Sequence, residues 1–95
     1  MNAELARSLD EDPLYKEMKC SPGGVMLLVR LRADLAGKPP AFLREMRTAD
    51  LLPDPGALLG AETRLSTTYS WLEKQFGRHN AARALVEVSA EILSR

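Results

Sequence analysis

The stretch Cys20–Gly37, CSPGGVMLLVRLRADLAG, decides the fold. Ser21 has the side chain of a helix cap. Pro22 suits the first helical position, where the amide it lacks would have no intrahelical partner. Val25, Met26, Leu27, Leu28 and Val29 form an unbroken apolar run, and Leu31 and Leu35 carry one stripe onward at helical spacing. Arg30 and Asp34, four apart, are placed to pair on the solvent side. Gly37 stops the helix, and Pro39 and Pro40 block its return. A helix apolar over so much of its circumference asks for cover on several sides, so the expectation is a central helix.

Toward the N-terminus, Asp12 followed by Pro13 repeats the cap-then-proline start and turns Leu14, Tyr15 and Met18 inward. Before it, Asn2 can cap a short amphipathic turn with Leu5, Ala6 and Leu9 on one side, and Asp10-Glu11-Asp12 is a solvated break. Toward the C-terminus, Pro40 opens a third element. Phe42, Leu43, Met46 and Ala49 fall at i, i+1, i+4 and i+7, and the helix ends around Leu51 because the residue before Pro53 is pushed from helical geometry. PDPG, residues 53–56, is a turn.

Asp54 and Pro55 then open the longest helix, which runs to about Phe76. Its stripe is Leu58, Ala61, Leu65, Tyr69, Leu72 and Phe76, with Trp71 off that line. Gly60 inside a helix costs about 1 kcal/mol relative to Ala, which marks a later true start or a close helix crossing. Gly77 supplies the stop, and Asn80 caps the last helix. There Ala82, Leu85, Val86, Ser89, Ile92 and Leu93 share one face, while Arg83, Glu87, Glu91 and Arg95 form a charged ridge. That pattern reads as a surface helix of a bundle. All 6 prolines fall at proposed boundaries, and no segment alternates with period two. The expectation is an all-α fold: a single domain over residues 1–95, a small bundle of four to five helices joined by Pro/Gly-marked turns.

Composition narrows the function. Lys plus Arg is 13 and Asp plus Glu is 13, giving no net charge. Such a chain has no broad positive field for phosphate backbones or anionic lipid, so neither nucleic acid nor membrane is expected as a partner. The single cysteine, Cys20, cannot form an internal disulfide and suits a reducing cytoplasm. The opening MNAELARSLDEDP has no basic n-region or apolar h-region of a secretory signal. The run Val25 to Val29 is far short of the ~20 residues that span a bilayer.

Chemistry-bearing residues are sparse. His79 and Cys20 are the only members of their kinds, and a zinc site needs three or four convergent ligands. Cys20 precedes a helix start, where a thiol pKa can fall, but its one possible histidine base is remote in sequence. The SPGG run, residues 21–24, has the glycines of an anion cradle without the preceding strand or the lysine of a phosphate loop. No catalytic, cofactor-binding or metal-ligating residue is assigned, and no cofactor is expected. Arg30, Arg32 and Arg44, with Arg47, could build an anion-binding patch if the second and third helices run antiparallel. The acidic Asp34, Glu45 and Asp50 interleaved with them give the alternative of an ordinary solvated face. Trp71, Tyr69 and Val86 are the candidates for a partner surface.

The string Gly23-Gly24-Val25, Leu28-Val29 and Leu31-Arg32-Ala33-Asp34-Leu35 resembles a segment of malonyl-CoA decarboxylases. In that family a helix with this start and body lies in the all-helical N-terminal domain, which mediates subunit association. The resemblance implies a helical association domain. It does not imply decarboxylation, because no catalytic or coenzyme-binding residue of the family maps onto this chain.

Two classes of function follow. The first is a non-catalytic helical interaction protein, a homo-oligomer or a small accessory subunit docked on a larger enzyme. The second is a small-molecule module that holds an acyl-CoA-like or apolar ligand between helices, or a small helical enzyme built on carboxylates and arginines.

Overall fold

A computed structural model of the chain describes residues 12–95, and every regular element among them is helical. The elements are α1 (Pro13–Cys20), α2 (Pro22–Ala36), α3 (Pro40–Met46), two short 3-10 turns (Ala49–Leu51 and Pro55–Leu59), α4 (Thr63–Phe76) and α5 (Arg78–Leu93). The all-α expectation holds. The amphipathic turn expected over residues 2–9, and most of the acidic break after it, lie outside the described residues.

Two of the caps form as the side chains dictate. The Asp12 carboxylate accepts from the Leu14 amide at 2.8 Å, and Ser21 Oγ accepts from the Gly24 amide at 3.1 Å. Extended backbone at Ser21 is the whole hinge between α1 and α2. The hinge is tight enough that a Cβ on Gly24 would stand 2.0 Å from the Met18 carbonyl oxygen. The second glycine of the SPGG run is therefore a close-approach residue between α1 and α2.

Three boundaries differ from the sequence reading. The helix from Pro40 ends at Met46 rather than near Leu51, and a separate 3-10 turn carries Ala49 into the core. The long helix expected from Pro55 to Phe76 is two elements. Gly60 takes φ 56° and ψ −126°, a conformation no helix contains, so Pro55–Leu59 forms a 3-10 turn and α4 starts at Thr63. Of the two readings of Gly60, the later start is the one adopted. Asn80 does not cap the last helix. It sits buried in the first turn of α5 and donates from Nδ2 to the Phe76 carbonyl at 2.8 Å, tying α5 to the end of α4. Gly77, at φ 93°, makes the one-residue junction between them.

The roles of α2 and α5 are exchanged relative to expectation. The most enclosed helix is α5, which packs against α2, α3, α4 and the Ala49–Leu51 turn. It buries Ala81, Ala82 and Ala84 along with Leu85, Val88 and Ser89. Alanines carry little apolar weight in a sequence pattern, yet they let neighbouring backbones approach from several sides. By contrast, α2 buries only Gly24, Leu27, Leu31 and Leu35. Its long neighbour is α4, set antiparallel to it: Gly23 lies near Gln75 at one end, and Lys38 Nζ meets Glu62 Oε2 at 2.5 Å at the other. The core between these helices is filled by Met18, Leu31, Leu35, Met46, Leu65 and Leu72. Leu14, expected inward, is 45% exposed, leaving Tyr15 and Met18 as the residues by which α1 enters the core.

Candidate functional site

Two surfaces hold the functional candidates, and α2 borders both. On its outward side stand Pro22, Met26, Val29, Ala33 and Ala36, all exposed. Their spacing is 4, 3, 4, 3, the repeat that keeps side chains in one line along a helix and that seams use to pack against another helix. Met26 is 64% and Val29 55% exposed, with Val25 beside them at 41%. A helical wheel at 100° per residue puts this line opposite Leu27, Leu31 and Leu35. Thus α2 is apolar on two opposed faces, one in the core and one in water.

The charged residues next to the stripe are both cations. Arg30 flanks it on the α4 side and Arg32 on the α5 side. Arg32 Nε pairs with Glu91 Oε2 at 3.1 Å. No ion pair joins Arg30 and Asp34, contrary to expectation; with Ala33 and Arg64 they line a shallow hollow between α2 and α4. Two arginines and one carboxylate share that hollow.

The second surface is a groove of about 270 Å³ where α1, α2 and α5 meet, lined by Tyr15, Lys19, Leu28, Arg32, Glu87 and Glu91 among others. Tyr15 is buried, and its hydroxyl donates to Glu87 Oε2. Its ring carries Lys19 Nζ at 4.6 Å and the Arg83 guanidinium at 4.1 Å from the centroid. Arg83 Nε also bonds Glu87 Oε1 at 3.3 Å. Partial burial pushes the Glu87 carboxyl above its ordinary value. Of the three cations around the groove, Arg83 is held by Glu87 and Arg32 by Glu91, while Lys19 lies over the Tyr15 ring. Its chemistry is that of a lock joining α1 and α2 to α5.

The residues expected to form a partner surface separate. Trp71 is 49% exposed on α4, with Lys74 Nζ 5.6 Å from its ring. The antiparallel register of α2 and α4 sets it at about the level of Met26. Tyr69 is not a surface residue: it is 4% exposed, and its phenol is pushed well above its ordinary range, first by burial and then by the Glu73 charge. Two residues apart on a helix, Tyr69 and Trp71 point in different directions, which is why only one can reach solvent. Val86 is half-buried and packs on the core. Arg44 is exposed on α3, which seats on α5; the antiparallel pairing of second and third helices that would gather Arg30, Arg32 and Arg44 is replaced by the pairing of α2 with α4. Cys20 and His79 are both exposed, and no group of three or more His, Cys, Asp or Glu side chains converges among the described residues.

The outward stripe is the feature that reading for a single core missed. Its signal was present in the positions 22, 26, 29, 33 and 36. The chain matches no protein family, no characterised protein and no solved structure.

Proposed function

We propose that this chain is a non-catalytic helical interaction module, self-associating or serving as a small accessory subunit, whose contact face is the outward stripe of α2. The observation that carries the reading is Met26 and Val29, more than half exposed at the middle of an apolar line that runs the length of the helix. Covering a side chain of this kind yields about 1.5–3 kcal/mol, and leaving a row of them in water is the usual mark of a docking surface. The likeness of residues 23–35 to the association domain of malonyl-CoA decarboxylases supports the same reading. The lone, exposed thiol of Cys20 suits a reducing compartment such as the cytoplasm.

Val29→Glu tests it. A charge there enters no core, so the isolated chain keeps its helical circular dichroism and melting temperature while losing its associations. Size-exclusion chromatography with light scattering, and co-purification of tagged chain from its native cell, should both change with the substitution. A wild-type chain that is strictly monomeric and co-purifies with nothing would sink the proposal.

A further inference from the structure

Resting on the reading of α2 as a contact face, we infer that the stripe takes one amphipathic helix of a different protein, apolar along its own 4-3 line and acidic at the positions beside it. The occupant follows from what borders the seam. Seams of this repeat are gated by the residues on their two flanks, which meet the flanks of the incoming helix. Here Arg30 stands on one side with no ion pair among the described residues, while Arg32 on the other is already held by Glu91, so the unopposed charge at the border is that of Arg30. Arg64 adds a third cation beside the Ala33 end, against the single half-buried carboxylate of Asp34.

A second copy of the chain fits this border poorly in either direction. Antiparallel packing of two α2 helices sets each flank against its own equivalent, Arg30 facing Arg30 and Arg32 facing Arg32. Parallel packing in register sets Arg30 of one copy against Val25 of the other, and Arg32 against Gly37. The first brings like charges together and the second leaves Arg30 facing an apolar side chain, so neither gives that guanidinium a counter-charge. A glutamate or aspartate on the flank of an incoming helix gives Arg30 the partner that a second copy does not.

The test uses the full chain and two synthetic helices that share leucines at 4-3 spacing, one with glutamates and the other with lysines at the flanking positions. Fluorescence anisotropy of the labelled peptides at low salt should show the acidic helix bound about tenfold more tightly than its basic twin, a preference that shrinks as salt rises. Arg30→Glu should remove most of that preference while leaving the circular dichroism unchanged. Val29→Glu should abolish binding of both peptides. Equal binding of the two helices, or binding of neither, overturns the inference. A stable dimer in light scattering that Val29→Glu splits also overturns it, giving the face to a second copy while preserving the proposed interaction function.

Discussion

At the scale of single residues, Gly24 and Glu87 carry the most physical information. Gly24 is the point where α1 lies on α2, and a methyl group there would have to displace Met18 backbone rather than a pliant side chain. Gly24→Ala is expected to cost about 1–3 kcal/mol despite alanine's better helix propensity, read from urea unfolding. An unchanged midpoint would mean that the two helices do not meet so closely. Glu87 makes a pH prediction. Its folded-state carboxyl is shifted upward, so the fold prefers the protonated form. As pH falls through that raised value the folded chain binds its proton before the unfolded chain does, and the contribution of this group to stability rises. The gain is complete below the unfolded value of about 4.3. Glu87→Gln keeps an acceptor for the Tyr15 hydroxyl and should flatten this part of the pH profile of stability; a profile identical to wild type would remove Glu87 as its source.

At the scale of elements, two glycines that look alike in sequence behave oppositely. At Gly23 a Cβ would meet nothing nearer than Gln75 Oε1 at 3.8 Å, inside a regular helix. Gly23→Ala should therefore stabilise by roughly 0.5–1 kcal/mol. At Gly60 nothing lies within 4 Å, but the backbone is at φ 56° and ψ −126°. Gly60→Ala should destabilise by about 1–3 kcal/mol, through backbone strain alone. Thermal melts of the two variants, shifting in opposite directions, would check both. The prolines and the caps Asp12 and Ser21 made the starts of α1 and α2 legible, because those side chains satisfy orphan amides that any helix must have. The break at Gly60 was not legible, since a glycine tolerates both a helix and a left-handed turn. Burial of Leu59, together with the Lys38–Glu62 contact, accompanies the choice of the turn.

At the scale of the whole molecule, the architecture rests on α5. Leu85 is fully buried there, and Leu85→Ala is expected to cost about 2–5 kcal/mol by opening a cavity. Met26→Ala, on the water-facing side of α2, should stay within about 0.5 kcal/mol of wild type. Chemical denaturation of the isolated variants measures the difference. Near-equal losses would mean that α2 is covered on both faces after all, and the contact face proposed for it would disappear with its exposure.

By itself the sequence determined that the chain is helical and where most helices begin, because capping, proline geometry and the 3.6-residue period act within a few residues of one another. It also displayed both apolar lines of α2, the inward Leu27-Leu31-Leu35 and the outward Pro22-Met26-Val29-Ala33-Ala36. Only the tertiary structure decided which line meets the core, that alanine-rich α5 occupies the middle, that Tyr69 is inside while Trp71 is out, and that Arg44 stands on a helix seated against α5. Those outcomes depend on which helices find one another across long separations, and apolar surface is attracted to any apolar surface it can reach. Local chemistry writes the elements; the competition among their faces for limited cover selects the site.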